Sequence, residues 1–542
     1  MKNKIHLISS FIATFLLFCS CSDFLDETPD KSGSAYIYHM DQLYGMTGSP
    51  DLYLMDDIAY LDYGGLPGDY MTQQYILGDG VEYDPQFWFY GLNGSYSSAY
   101  EIYCWDKDKL TEESIMSTLW TPAWNRIYTF NTVLENLDQV IQTTENIRYQ
   151  VEGEARFGRA YYHFILLTQY CLWQEEAPGI GYRENTNANE IPERQTVGYT
   201  LSRIYDDLEL AEEALTKAGR TEFDFPRNFR PTVPTVRAFR ARIDLYRGKY
   251  DSALQNATDA LKAHNTLVDF KNDPLYELSP FYEINLLDPT DSYIASTITA
   301  QRMTQLTNRG CEAIPEYEEL FLPNCILLDY YGTVPVSETL YNLFDRENDA
   351  RWIHFYNNYY ALYIASGVVH SVQLPGDNKT TPNCIQWEDQ QWLKPSSFHA
   401  YIRFYSMGST SLIGMTTAEM LLIQAECLAR QGNTGEAAEI LKKLRRTRFM
   451  NDAAAENIGG SVQEVLDERF REMGAAWRFF DIKRLNGAEN AGISIRRSIL
   501  TDLTDPNSVT ELVITPDDPR WALPFCTQEA ERMGWAQNEG WE

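Results

Sequence analysis

The chain has 542 residues, which is long enough for one large domain or for a few ordinary ones. Its 44% hydrophobic and 23% charged residues are typical of a folded globular protein and argue against a disordered chain. The 77 acidic side chains outnumber the 45 basic ones, and the formal net charge of −32 disfavours nucleic-acid binding because it repels phosphate groups.

The start of the chain is typical of a bacterial export signal. Lysines precede the apolar stretch 5–18, which is too short to span a bilayer comfortably. Ser20 then stands directly before Cys21, as a small residue stands before the acylated cysteine of lipoproteins. Cleavage before Cys19 would follow a bulky phenylalanine, so we expect residues 1–20 to be removed and Cys21 to carry lipid. Cleavage by an ordinary signal peptidase is the alternative.

Residues 53–105 are rich in aromatic and turn-forming residues and have no clean period. Pyranose rings stack their C–H faces on exposed aromatic rings, while amides and carboxylates bind the hydroxyl groups. We therefore predict ligand contacts in this stretch, although each ring has the alternative of a place in the core. The candidates are Asp69, Trp88, Tyr90, Asn93, Tyr96 and Trp105.

Three stretches with helical periodicity follow the aromatic-rich residues 53–105. Apolar residues recur at helical spacing over 124–141, 151–170 and 201–215, which predicts three amphipathic helices. A lone histidine on such a helix, like His163, is usually a structural residue.

An internal repeat relates residues 235–262 to residues 419–445. Small residues and a turn glycine recur at the same spacing in both, as in tetratricopeptide helical hairpins. The corresponding residues are Ala241, Gly248, Ala253 and Ala260 in the first copy and Ala425, Gly432, Ala437 and Leu444 in the second. Two copies do not make a solenoid, so other hairpins must complete the stack.

Between the two copies, from about 265 to 415, helical periodicity fades and short strand-like runs such as 293–299 occur. Long irregular stretches on a rigid frame often carry binding residues. A second set of candidate ligand contacts lies here: Tyr282, Tyr293 and Arg302.

No catalytic motif stands out. The sequence has no Walker loop, no GxGxxG before a helix, no HExxH and no GxSxG, and its seven histidines lie singly. Carboxylates are so numerous that a glycosidase-like pair carries no weight. We therefore predict no catalytic residues, no metal and no cofactor.

Segments along nearly the whole chain resemble the SusD/RagB family. The most specific likeness lies at 468–484, where ERFREMGAAWRFFDIKR is similar to the family pattern ERRxELxxEGxRWFDLKRW. Residues 153–164, GEARFGRAYYHF, are similar to its helix GEARFLRAYYYF, with Gly158 where leucine is usual. Residues 21–29, 344–351 and 523–541 also resemble the family, the second more loosely.

The resemblance implies a mostly α fold: tetratricopeptide-like hairpins forming an α-superhelix, with irregular loop-rich insertions and little β-structure. It implies a surface-exposed lipoprotein, held at the outer membrane through its N-terminal lipid. This lipoprotein would capture oligosaccharide or polysaccharide and deliver it to a SusC-like TonB-dependent barrel, without being an enzyme. The signature residues Arg469, Arg478 and Asp481 resemble a buried polar network with no ligand role.

The expected organisation is a signal peptide at 1–20, a SusD-like N-terminal helical region at 21–230 that includes the aromatic loops, a hairpin at 231–265, and a RagB/SusD C-terminal region at 266–542 that includes the second hairpin. Two alternative functions remain open at this point. One is a peptide-binding member of the same family, and the other is a surface glycoside hydrolase.

Overall fold

The computed structural model describes most of the chain. The described residues are 37–49, 52–53, 76–82, 85, 101–187, 189–225, 227–272, 319–322, 325–327, 336–365, 368–373, 391–392, 398–401, 410–412, 414–502, 505 and 507–542.

Helices dominate the first half. They are α1 (Met40–Thr47), α2 (Lys107–Leu110), α3 (Glu113–Asn136), α4 (Glu145–Tyr170), α5 (Val197–Lys217), α6 (Val233–Tyr246) and α7 (Tyr250–Ala263). Threonines cap the N-termini of α4 and α5. The side chain of Thr144 accepts a hydrogen bond from the backbone N–H of Ile147, and that of Thr196 accepts one from the N–H of Tyr199. The three predicted helices are confirmed, and α3 begins 11 residues earlier than the predicted start at 124.

Short strands and helices lie between the two predicted hairpins. They are β1 (Leu320–Leu322), β2 (Cys325–Leu327), α8 (Glu338–Tyr341), α9 (Ala350–Phe355), β3 (Tyr356–Ala365), β4 (Val368–Gln373), β5 (Gln391–Trp392), β6 (Phe398–Tyr401), β7 (Thr410–Leu412) and β8 (Met415–Thr416). All pairings are antiparallel: β1 with β8, β2 with β7, and β3 with β4, β5 and β6. The strand-like run 293–299 lies outside the described residues.

The last third is helical again and ends in a hairpin and a tail. Its elements are α10 (Thr417–Arg430), α11 (Thr434–Arg445), α12 (Asp452–Glu456), α13 (Val462–Met473), α14 (Ala475–Glu489), β9 (Ile495–Leu500), β10 (Val509–Ile514) and α15 (Thr527–Met533). Strands β9 and β10 pair antiparallel.

The two predicted repeats are helical hairpins, α6–α7 and α10–α11. Their turn glycines Gly248 and Gly432 adopt φ of +67° and +84°, a conformation that side chains disfavour. Ala241, Ala253, Ala425 and Ala437 are all fully buried between the helices. Helix α7 packs on α10, so the two hairpins stack although about 150 residues separate them in sequence. The mostly α-helical fold built from such hairpins is confirmed.

Buried ion pairs join the two hairpins to each other and α13 to α14. Arg242 of α6 pairs with Glu419 of α10, with Nε 2.8 Å from Oε1. Arg469 lies 2.9 Å from Asp481, as its place in the signature predicted. Removing one partner of such a buried pair would leave an uncompensated charge, which strongly destabilises a fold.

Candidate functional site

Most of the predicted ligand contacts lie outside the described residues. These are Asp69, Trp88, Tyr90, Asn93, Tyr96, Tyr282, Tyr293 and Arg302, and the predicted lipidation site Cys21 lies outside them as well. The structure does describe the residues that flank these stretches, and the geometry of those flanks defines how the stretches are attached.

Trp105 is the one predicted contact that the structure describes, and it is a core residue. Its exposed fraction is 4%, and its ring stacks on Trp541 at a centroid distance of 6.3 Å and an interplanar angle of 6°. Trp521 and Phe479 meet it edge-on at 5.9 and 6.2 Å. A ring enclosed in this way cannot stack on a sugar, so the predicted ligand role of Trp105 is wrong in this conformation. Sequence reasoning missed this because the C-terminal tail supplies the enclosing rings.

The stretch that carries Trp88, Tyr90, Asn93 and Tyr96, residues 83–100, is here called the aromatic segment. Both of its flanks meet at Arg497 of β9. Arg497 Nη1 donates to the carbonyls of Ile76 (3.2 Å) and Tyr103 (2.7 Å), and Nη2 donates to those of Leu77 (2.9 Å) and Gly78 (2.9 Å). The guanidinium also lies over the Tyr103 ring, 4.1 Å from its centroid.

Further contacts attach the flank that precedes the aromatic segment. The predicted network residue Arg478 donates from Nε to Asp79 Oδ1 (2.6 Å) and from Nη2 to Asp79 Oδ2 (2.9 Å). Arg478 is thus separate from the Arg469–Asp481 pair. The carbonyl of Gly80 accepts a hydrogen bond from the N–H of Ser337 at 3.0 Å, which joins this flank to the start of α8.

The second candidate stretch, residues 273–318, is here called the insertion. It is closed at its base by Glu319 and Arg448. The Val268 N–H lies 2.7 Å from Glu319 Oε1, and Arg448 donates both to that oxygen (2.9 Å) and to the Val268 carbonyl (2.6 Å). The residues that flank the insertion are therefore held side by side, although 51 positions separate Val268 from Glu319.

The same base also holds the strand-containing stretch from α9 to β8. The Ala350 N–H donates to the Arg448 carbonyl at 2.8 Å, and the Thr417 N–H donates to the Glu319 carbonyl at 2.9 Å. Described residues that flank both long stretches are thus hydrogen-bonded to the same two residues, Glu319 and Arg448.

A cluster of buried charges surrounds this base, with carboxylates and guanidiniums in equal number. Its carboxylates are Glu319, Asp349, Glu468 and Glu472, and its guanidiniums are Arg351, Arg445, Arg448 and Arg471. Burial raises the pKa of Glu319, and neighbouring Glu472 adds to that rise. Burial also opposes ionisation of Glu468, but the positive charges of Arg471, Arg351 and Arg445 lower its pKa.

His163, which the sequence predicted to be a structural residue, is enclosed in the fold. His163 is fully buried, with Nδ1 2.8 Å from the Arg159 carbonyl and Nε2 accepting from the Arg183 N–H at 3.0 Å. Burial lowers its pKa to about 3.

Within the described ranges, His, Cys, Asp and Glu form no group of three or more that could hold a metal ion. No helix in the part of the chain that the structure describes has the length and apolar character to cross a membrane.

Arg497, Arg448 and Glu319 were missed by sequence reasoning. One signal was available for Arg497: it stands at an inward position of a strand whose neighbouring inward positions are apolar. For Arg448 and Glu319 the sequence gives no comparable signal, because their partners come from four separate stretches.

Two family models match the chain. A model described as starch-binding associating with outer membrane matches residues 75–245, and a model described as the SusD family matches residues 341–540. The SusD-like protein P38 of Formosa agariphila is 22% identical over 410 residues, which are 70% of this chain and 75% of that protein.

Solved structures share the fold. A SusD superfamily protein from Bacteroides thetaiotaomicron superposes with a TM-score of 0.59 at 16% identity, covering 92% of this chain and 99% of its own. Surface glycan-binding protein A from Bacteroides uniformis superposes with a TM-score of 0.57 at 15% identity, covering 92% and 98%.

Proposed function

The chain belongs to the SusD family, and from this premise we propose that it is a surface lipoprotein that captures oligosaccharide or polysaccharide. We further propose that it passes the captured glycan to a SusC-like TonB-dependent barrel in the outer membrane and acts by binding alone. The family match carries the proposal, since one matching model is described by starch binding and one structural relative is named for glycan binding.

We assign the glycan contacts to the aromatic segment, with Trp88, Tyr90, Asn93 and Tyr96, and to Asp69 in the preceding stretch. Tyr and Trp combine a flat apolar face with a polar group, which suits the two kinds of surface on a sugar. The flanks of the aromatic segment are hydrogen-bonded to Arg497 of β9 and Arg478 of α14. The insertion, with Tyr282, Tyr293 and Arg302, is the second proposed contact region.

A binding screen tests the proposal. The mature chain, without its leader, is screened for binding to soluble starch, β-1,3-glucan, xylan, mannan and pectin. Calorimetry then measures its affinity for the polysaccharide that binds. We expect one neutral class to bind and its affinity to change little with salt, because a neutral sugar releases no counterions. Release of reducing sugar from the bound polysaccharide would indicate a hydrolase, and binding only to a peptide library would indicate the peptide-binding alternative.

Single substitutions then locate the site. Trp88→Ala and Tyr90→Ala should weaken binding by about 1–3 kcal/mol per exposed ring, roughly five- to 150-fold in affinity, with the melting temperature preserved. Trp105→Ala is the matched control, because loss of a core ring costs about 3–5 kcal/mol of stability. If Trp88→Ala and Tyr90→Ala bind as the parent does, the insertion becomes the region to test.

A further inference from the structure

A buried polar cluster lies where helices α6, α10, α13 and α14 meet. Tyr246 ends α6, and Glu419 lies in the first turn of α10. Arg469 belongs to α13 and Asp481 to α14, and none of the four residues is more than 5% exposed. Arg484 connects them, since its Nε donates to Asp481 Oδ1 at 2.8 Å and its Cζ lies 5.8 Å from the Tyr246 ring centroid. The cluster therefore links both hairpins to α13 and α14.

Arg469 uses only part of its guanidinium for hydrogen bonds. Its Nε donates to both carboxylate oxygens of Asp481, at 3.0 and 2.9 Å. Its Nη2 lies 3.6 Å from Glu419 Oε1, which is an ion pair but too long for a hydrogen bond. Among the described residues, neither Nη1 nor Nη2 has a hydrogen-bond acceptor, and the buried hydroxyl of Tyr246 has no hydrogen-bond partner.

These groups remain donors at ordinary pH. Burial raises the pKa of Tyr246, and the negative charge of Asp481 adds to that rise, so the hydroxyl keeps its proton. A guanidinium keeps its charge throughout. Enclosing such donors without acceptors costs their free energy of solvation, and the cost is larger for a charged group. The side chains thus present a surplus of donors at one enclosed place, which calls for a small ligand that accepts hydrogen bonds.

The charges around the cluster decide between a neutral ligand and an anion. Among the described residues, ion pairs join four guanidiniums and four carboxylates into one network, and these are Arg242, Arg430, Arg469 and Arg484 with Glu419, Glu426, Asp481 and Glu489. An anion would add an uncompensated negative charge to this balanced set, which is costly in a buried place. A water molecule adds no charge and can accept from the donors while it donates to a carboxylate.

We propose that Tyr246, Arg469 and Glu419 bind one ordered water molecule as a structural part of the helical frame. The water accepts from the Tyr246 hydroxyl and from an Nη group of Arg469, and it donates to Glu419 Oε1. That oxygen accepts from Arg242 Nε at 2.8 Å and has a second lone pair for the water. The first hairpin, the second hairpin and α13 are thereby joined through one molecule. The site is independent of glycan binding.

Tyr246→Phe tests the water through stability. An unpaired hydroxyl would make its removal neutral or stabilising, whereas a hydroxyl that binds the water makes its removal destabilising. We expect the melting temperature to fall by about 1–3 °C, as for the loss of one hydrogen bond in a large protein. Tyr128→Phe, at a half-exposed tyrosine, is the matched control and should melt as the parent does. A Tyr246→Phe protein that is as stable as the parent or more stable overturns the proposal.

A crystal structure of the parent protein tests the site directly and needs no variant. At a resolution that shows ordered water, we expect one peak within roughly 2.6–3.2 Å of Tyr246 Oη, an Nη atom of Arg469 and Glu419 Oε1. Crystals soaked in bromide should show no anomalous signal there. A bromide peak would identify an anion site, and direct hydrogen bonds from these donors to protein groups would leave no place for a ligand. Either result overturns the proposal.

Discussion

Gly158 lies in the middle of α4, where a Cβ atom would stand 2.1 Å from Cζ of Phe130. The glycine replaces the leucine that is usual in the family motif, and it costs helix propensity. The structure gives the reason for the exchange: the Phe130 ring of α3 packs directly against the backbone of α4. The lower helix propensity of glycine at position 158 is thus accompanied by closer contact between α3 and α4.

Restoring leucine should therefore destabilise the protein. Gly158→Leu gains about 1 kcal/mol of helix propensity but overpacks the contact with Phe130, which costs about 1–3 kcal/mol or more. We expect a net decrease in the free energy of unfolding measured in urea. In a Phe130→Ala background the same substitution should cost less, because the two positions are coupled. A Gly158→Leu protein that is more stable than the parent would show that Phe130 moves away at little cost.

Lys483 links stability to pH. Its Nζ donates to the Thr168 carbonyl at 2.6 Å in the last turn of α4, and burial lowers its pKa from 10.5 to about 7. The unfolded chain keeps the proton up to about pH 10.5, so the free energy of unfolding rises with pH above 7, by up to about 1.4 kcal/mol per unit. Burial raises the pKa of nearby Cys171 to about 11, and this thiol acts in the opposite direction above pH 9.

Between pH 7 and 9 the effect of Lys483 on stability can be measured without the opposing effect of Cys171. Urea unfolding of Lys483→Met should show a shallower pH dependence than the parent there. Lys262→Met removes an exposed lysine and controls for the change in net charge. Parallel curves for the parent and Lys483→Met would mean that the carbonyls of α4 keep the amine protonated.

At the scale of elements, the hairpins depend on small residues. Ala253→Leu should cost about 1–3 kcal/mol, because the side chain is fully buried between α6 and α7 and the helices cannot separate freely. Gln255→Leu adds the same side chain on the exposed face of α7 and should leave the melting temperature nearly unchanged. Equal melting temperatures for the two variants would argue that the hairpin opens to admit the larger side chain.

Periodicity predicted the helices and the repeat because those signals are local. Their limits were less predictable: α3 continues through Pro122, a residue that ordinarily interrupts a helix. The packing of Trp105 against Trp541 and the contacts of Arg497 with Tyr103 join residues roughly 400 positions apart, and nothing in the local sequence specifies such pairs. This is why the family and the helical frame were predicted correctly while Trp105 was assigned to the ligand surface.

At the scale of the whole molecule, the proposed anchor determines where the protein acts. Cys21→Ala should yield a protein that no longer partitions with membranes, because acyl chains supply the affinity. Fractionation of cells that express the parent or the variant measures this directly. Ser22→Ala, next to the predicted acylation site, serves as the control and should stay in the membrane fraction. Unchanged membrane association of Cys21→Ala would contradict the lipoprotein assignment.

The base formed by Glu319 and Arg448 has a consequence for how well the fold tolerates insertions and deletions. The insertion and the strand-containing stretch each leave and rejoin the helical frame at this one pair, so each behaves as a cassette with fixed ends. Closing a longer cassette adds only a small entropic cost, since that cost grows with the logarithm of length. A change of length within either stretch should therefore leave the stability of the helical frame nearly unchanged.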